Sequence, residues 1–317
     1  RLVENWTPEK VAEATGMTAD RIRKLARDIA TAPRAAICSR VGLTTSAHST
    51  LSAWLVYVIN IVTGNLDREG GVMFTKPAFD IVAFGALGGE TGSFDRYRSR
   101  VHGYPEFGGE FPVTTLADEM LSPGTGQIKA FISHAGNPVL SCPDGNKMDK
   151  ALSGLEFMVS IDLYINETTR HADIILPPTG QLEHAQFDPI FQAVAVRNVV
   201  KFSEPLVEKP EGSLHDWEIL LGLATRLGRL KAESRRERFQ VEATDRFMRK
   251  LTDRGIVDLG LRLGPYGTGG RSMAILKRAG LRSLPKLAWK VLRGKHKGLT
   301  LKKVLAQPHG IDLGRFS

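Results

Sequence analysis

Apolar positions recur at helical spacing in the first 64 residues. Ile22, Leu25, Ala26 and Ile29 share one face, with Thr18 as the cap and Pro33 as the stop, and this pattern predicts a helix. Ahead of it, Thr7-Pro8 sets an N-cap before a proline at the first helical position, and Gly16 closes a shorter helix. Trp54, Leu55, Val58, Ile59 and Val62 repeat the spacing, Tyr57 and Ile61 make other faces apolar too, and Gly64 ends the run. That stretch reads as a buried helix, and residues 35–41 before it as a short strand.

Residues 66–127 carry much Gly and Pro and little periodicity, so irregular excursions are expected there. Beyond them short apolar runs alternate with helical signals: strands at 128–133, 157–161 and 174–176, a helix at 147–152 and a helical turn at 167–172. The alternation predicts α/β architecture, a parallel sheet in Rossmann-like layers with helices on both faces, within an incomplete multidomain fold. A β segment is expected at 193–200, then a helix at 216–227 with Trp217, Leu220, Leu221 and Ala224 on its packed face. Three parts are expected: 1–76 as the end of one α/β domain, 77–228 as a second, and 229–317 as a basic linker or peripheral segment.

Charge changes this picture only locally. The net charge is +9, yet eleven Lys or Arg and no acidic residue fall within 271–303, leaving 32 basic against 34 acidic residues elsewhere. A basic segment of this kind, with Trp289 among its lysines, meets phosphate or anionic lipid, or else forms a solvated face against an acidic partner subunit. The nearly neutral body argues against a nucleic-acid or membrane ligand. Two cysteines, Cys38 and Cys142, are too few for a thiolate-only metal centre, and a reducing, cytoplasmic setting is expected.

In parallel sheets ligands bind beyond the carboxyl ends of the strands. After the first strand stand Asn137 and Ser141, at the end of the second Ile161 and Asp162, and after the third Thr179 and Glu183-His184. An Asp so placed accepts paired N–H groups from a guanine edge, while Asn and Ser serve ribose or phosphate. The same spacing also fits plain helix capping by Asn137 and Asp162. Gly85, Gly88, Gly89 and Gly92 lack a dinucleotide-binding spacing, and no P-loop lysine or nucleophile elbow is present. His171 and His184 have no convincing third ligand beside them, so they read as hydrogen-bonding histidines.

Three stretches together resemble the molybdopterin oxidoreductases of the dimethyl sulfoxide reductase superfamily, which includes formate dehydrogenases and nitrate reductases. They are Trp6-Thr7-Pro8-Glu9 through Thr63-Gly64-Asn65-Leu66-Asp67 to Gly70-Gly71; then Ala135-Gly136-Asn137-Pro138; then Asp162 through Asn166-Glu167-Thr168-Thr169-Arg170-His171-Ala172-Asp173 to Pro177, completed by Glu183. The resemblance covers about residues 1–228.

It implies a bis(molybdopterin guanine dinucleotide) cofactor carrying molybdenum or tungsten. By the family's pattern, Asn137 and Ser141 match the loop that contacts the nucleotide, Ile161 and Asp162 the following strand end, His184 a lysine position after the Glu, Asp216 the Asp before the helix tryptophan, and Thr45 or its neighbours a frequent Gln. The resemblance further implies two-electron redox of a small substrate, formate first, with electrons passing through a 4Fe-4S cluster in an amino-terminal part to a redox partner protein or subunit. No counterpart of that cluster region, the metal-ligating residue or the carboxy-terminal barrel is found, so the chain reads as a middle fragment, inactive alone. The alternative is a non-catalytic relative serving electron transfer or assembly, as in the large iron–sulfur subunit of NADH dehydrogenase.

Overall fold

The structure is a computed structural model and describes residues 3–87, 92–267 and 298–316; Gly88, Gly89 and most of the basic segment with Trp289 lie outside them. The chain divides into two compact units, residues 1–76 with 314–317, and residues 77–313.

In the first unit, α1 (Pro8–Thr15) and α2 (Ala19–Thr31) start at Thr7 and Thr18, whose hydroxyls accept from the N–H groups of Lys10 and Arg21. Gly16 ends α1 in the left-handed conformation, as its position predicts. The strand expected at 35–41 does not form. Residues 35–40 run without a strand partner, and α3 (Val41–Thr44) begins directly after them. The buried amide of Asn60 replaces the missing neighbour: its Oδ1 accepts from the Ile37 N–H at 3.1 Å and its Nδ2 donates to the Ile37 carbonyl at 2.8 Å.

Asn60 belongs to α4 (Ser49–Val62) and is the one residue of that helix that is buried. The expectation of a buried helix is therefore corrected, since Trp54 and Tyr57 are each 53% exposed and Ile61 is 56% exposed. Apolar spacing identifies a sticky helix but not whether anything covers it. After α4 the chain reverses between Asn65 and Val72, with Val72 N–H on the Asn65 carbonyl at 2.8 Å and Asp67 N–H on the Val72 carbonyl at 2.6 Å. A Cβ on Gly71 would sit 2.1 Å from the Asn65 carbonyl oxygen, so only glycine fits there.

The second unit opens with α5 (Ile81–Leu87) and an antiparallel pair, β1 (Phe94–Arg98) with β2 (Pro105–Phe107). With α6 (Leu116–Leu121), these give regular structure to a stretch whose composition predicts irregular chain. Fully buried Glu106 holds the pair together, accepting from the Ser93 hydroxyl, from the N–H groups of Arg96 and Gly109, and from the Arg96 guanidinium.

The parallel sheet follows as expected. Its order is β3 (Ala130–His134), β4 (Phe157–Ile161), β5 (Ile174–Ile175), with Ala130 to His134 paired in register with Phe157 to Ile161. Between the first two strands lie α7 (Pro138–Ser141) and α8 (Gly145–Ser153). Met158 on the central strand joins Ala117 and Met120 of α6 and Met148, Ala151 and Leu152 of α8 in one core. Val159 and Ile161 alternate to the opposite face and are buried too. Each buried Leu or Met side chain of this kind contributes about 1.5–3 kcal/mol.

Three further expectations are revised. The segment read as β at 193–200 starts in α9 (Pro189–Ala193), capped by Asp188, and only β6 (Asn198–Val200) is strand. Helix α10 (Asp216–Lys231) buries Ile219, Gly222 and Thr225, while Leu220 is 40% exposed. The reason is α11 (Arg235–Leu263), which packs beside α10; Thr225 donates to Asp245 at 2.8 Å, and a Cβ on Gly228 would meet Val241 at 3.0 Å. Finally, the segment read as linker supplies core: Leu261 of α11 and Leu299, Leu301 and Val304 at the short helix Leu301–Leu305 close over Ala78, Val200 and Phe202. The last strand, β7 (Ile311–Gly314), pairs with β6.

Two measurements probe this construction. The Ser93 hydroxyl holds Glu106 at about 2 against the opposing pull of burial, with the N–H groups of Gly109 and Arg96 and the Arg96 guanidinium adding to it, below an ordinary 4.5. A depressed carboxyl contributes stability above its unfolded value and loses it as pH falls through its folded value. Glu106→Gln is therefore destabilising at about pH 7, and the gap from wild type in unfolding midpoint closes between pH 4.5 and about 2; a gap independent of pH contradicts the assignment. At Thr252, with φ 59° and ψ 171°, a region natural only to glycine, α11 kinks into two helical parts. Thr252→Gly is expected to raise stability by about 1 kcal/mol in chemical denaturation, whereas Thr252→Ala does not.

Candidate functional site at the carboxyl edge of the sheet

All three parallel strands end on the same edge, and the chain leaves each through a polar loop. After β3, Ala135 takes a left-handed φ of 49° and its N–H bonds the Ile161 carbonyl at 3.0 Å, which pins the first loop to the end of β4. Asn137 then turns both polar atoms of its side chain to the neighbouring loop. Its Nδ2 donates to Glu167 at 2.8 Å and its Oδ1 accepts from the buried Thr168 hydroxyl at 2.7 Å. That hydroxyl accepts in turn from the Val139 N–H at 3.1 Å, inside the first turn of α7. The hydrogen bond from Asn137 chiefly, with its own backbone N–H and Arg170 adding, keeps the Glu167 carboxyl below its usual range and so ionised at neutral pH.

Ser141 is turned back into α7, its hydroxyl donating to the Asn137 carbonyl at 3.0 Å. Ile161 is fully buried, so its side chain serves the core and only its backbone reaches the edge. Asp162 closes a tight turn, one carboxylate oxygen accepting from Leu163 N–H at 2.7 Å and Tyr164 N–H at 3.2 Å. Asn166 completes the loop, its Oδ1 accepting from both Thr168 and Thr169 N–H groups.

Beyond β5 the hydroxyl of Thr179, 3% exposed, lies 2.7 Å from Nδ1 of His215 and 3.5 Å from Nδ1 of His184. Nε2 of His184 meets the Gln186 amide at 2.8 Å, and Glu183 accepts from the Gly180 N–H at 2.7 Å. Asp216, the first residue of α10, pairs with Nε2 of His134 at 2.8 Å and so ties the end of β3 to α10. The edge thus gathers two groups from the expected residues, Asn137 with Ser141 after β3, and Thr179 with His184 after β5. Asp162 is engaged only by its own turn. Thr45 belongs to the other unit, where its hydroxyl donates to the Val41 carbonyl at 3.1 Å.

His134 and His215 escaped the sequence reading. Each had a positional signal, one as the last residue of a strand and the other as the residue before the α10 start. The indole N–H of Trp217, next along from Asp216, is buried with no hydrogen-bond partner among the described residues. Among those residues no cluster of three His, Cys, Asp or Glu is arranged around a metal ion, and no helix is long and apolar enough to cross a membrane. What the edge offers instead is a row of hydroxyls, amides, imidazoles and carboxylates suited to a polar organic ligand.

The family model for molybdopterin oxidoreductases matches residues 7–226. The chain is 28% identical over 235 residues to the F420-dependent formate dehydrogenase subunit alpha of Methanocaldococcus jannaschii, covering 72% of this chain and 34% of that protein. It is 38% identical over 104 residues to the assimilatory nitrate reductase catalytic subunit of Bacillus subtilis, covering 33% of this chain and 14% of that one. Acetylene hydratase from Pelobacter acetylenicus aligns in structure with a TM-score of 0.49 at 21% identity, covering 72% of this chain and 34% of that chain. The chain spans about a third of the length of the first of these relatives.

Asn137→Ala removes a side chain that bridges the first two loops and leaves the buried Thr168 hydroxyl without its acceptor. The expected cost is about 1–3 kcal/mol in unfolding free energy, against a few tenths for Ser141→Ala, whose hydroxyl only backs onto its own helix. Equal effects of the two substitutions would contradict the bridging role.

Proposed function

The chain belongs to the molybdopterin oxidoreductase family, and from that premise we propose that the whole protein carries out two-electron oxidation or reduction of a small substrate, formate first, using a bis(molybdopterin guanine dinucleotide) cofactor with molybdenum or tungsten. The observation that carries this reading is the family match over residues 7–226, which spans every loop of the carboxyl edge described above. Formate is preferred because a formate dehydrogenase subunit is among the relatives matched over most of this chain.

The donor set fits a guanine nucleotide. Asp162 has one carboxylate oxygen in its turn, and the other would accept N–H groups of the base. Ser141, Thr179 and His184 would supply hydroxyl and imidazole groups for ribose and phosphate, Asp216 a carboxylate for ribose hydroxyls, and Ile161 its backbone beside the base. Asn137, bonded to Glu167 and Thr168, would hold the loop backbone in place and keep one Nδ2 hydrogen and one Oδ1 lone pair for the nucleotide. When bound, the metal and its pterins supply the two-electron redox centre. The protein's part in these residues is to bind and orient that group. A 4Fe-4S cluster and a redox partner, in a cytoplasmic enzyme, complete the electron path.

The decisive test is cofactor analysis of the full-length protein, scoring molybdenum, tungsten and GMP released on hydrolysis, for wild type and for Asp162→Ala. Metal and GMP in the wild type, with GMP falling at least about tenfold in the variant, are expected from losing charge-assisted bonds. A wild-type protein with neither metal nor GMP overturns the reading and gives way to the non-catalytic scaffold. Formate-dependent reduction of an artificial electron acceptor then tests the substrate separately.

A further inference from the structure

Alongside α10 lies a cavity of about 610 Å³ walled by Leu176, Pro177, Leu214, Ile219 and Leu223. None of Asn137, Asp162, Thr179, His184 and Asp216 lines it; through Leu176, Pro177 and Leu214, whose carbonyl accepts from the Thr179 N–H at 3.0 Å, it adjoins the edge proposed for the nucleotide without sharing those side chains. Its volume falls within the roughly 300–1,000 Å³ usual for small-molecule sites.

The charges along it are unequal. Glu218 and Arg226 both line it, eight residues apart on α10, which a rise of about 1.5 Å per residue places roughly 12 Å apart along the axis. Burial pulls the Glu218 carboxyl upward, but the His215 N–H at 2.9 Å and Lys209 Nζ at 3.1 Å outweigh it, and the group is held below its usual range as a compensated anion. Arg249 is likewise satisfied, by Asp245 at 3.0 Å. Arg226 donates from Nη1 to the Gly222 carbonyl at 3.1 Å and has no carboxylate partner among the described residues. The uncompensated charge on this apolar cavity is thus a guanidinium at one end.

We propose that the cavity binds a monoanionic amphiphile of the medium-chain carboxylate class, its alkyl chain between Ile219, Leu223 and the facing Leu176 and Leu214, its carboxylate on Arg226. Burial of the chain supplies the general attraction, and the charge-assisted bond selects the anion. A nucleotide or a multiply charged metabolite would lay polar surface against apolar walls, and an alkylammonium would place like charge beside Arg226. Arg226 is exposed enough to meet a carboxylate arriving from solvent.

Isothermal titration of the full-length protein with decanoate, decanol and decyltrimethylammonium, each below its aggregation concentration, tests this. Saturable one-to-one binding of decanoate is expected, roughly tenfold tighter than decanol, with the ammonium weakest. Arg226→Gln should bring decanoate down to the level of decanol, Arg226→Lys should retain part of the preference, and neither should lower the melting temperature appreciably. Absence of saturable binding, equal affinity for the three ligands, or a decanoate preference that survives Arg226→Gln overturns the proposal. Loss of cofactor from the protein is not among these readouts, so its outcome stands apart from that of the oxidoreductase reading.

Discussion

The link between the loops after β3 and β4 is the constraint on which the carboxyl edge depends. Parallel strands send their chains away through crossovers, so the loops at their ends carry backbone groups that no strand neighbour satisfies. Here the Asn137 amide reaches across to Glu167 and the Thr168 hydroxyl, and Thr168 reaches back to the Val139 N–H. Asn166 then takes the N–H groups of Thr168 and Thr169, while the Thr169 hydroxyl donates to the Tyr164 carbonyl. Nearly every polar side chain of the run from Asn166 to Thr169 is consumed in holding the loop. The stretch that most strongly marks the family resemblance is, physically, a polar latch, and its demand for particular residue types follows from the geometry of those bonds.

Helix α10 distributes the rest of the unit around that edge. Its first residue meets His134, and the residue just before it meets Thr179, so its start is stitched to both the first and the last strand. Further along, Thr225 and Gly228 give one side to α11 through Asp245 and Val241. Gly222 and Leu223 face the cavity. A Cβ on Gly222 would come within 3.2 Å of an Arg226 guanidinium nitrogen, so the absence of a side chain there keeps the guanidinium in its place above the helix carbonyl. One sixteen-residue helix thereby serves the polar edge, the helical pair and the apolar cavity.

Local signals were legible in the chain wherever they rested on one element. Thr7 and Thr18 cap as their positions predict, and the central strand spans residues 157–161 as its apolar run indicates. What depended on an unseen neighbour was not legible. The packed face of α10 shifted by one position class because α11, disguised by its charge, lies beside it; the expected strand at 35–41 failed because the Asn60 amide supplies only one residue's worth of pairing; and α4 shows the apolarity of a buried helix without the cover. A buried Asn in an apolar helix was a readable sign that its amide served some other backbone.

The candidate site divides along the same line. Positions beyond strand ends follow from the parallel topology alone, which is why Asn137, Asp162 and Thr179 were accessible to reasoning from spacing. Their partners were not, because hydrogen bonds such as His134 to Asp216 and Thr179 to His215 join residues 82 and 36 apart in sequence. The structure also defines what the most conspicuous of them does. An amide side chain has two donor hydrogens and two acceptor lone pairs, so Asn137, bonded once through each polar atom, holds the two loops together and keeps one of each to spare, just as Asp162 keeps its second carboxylate oxygen.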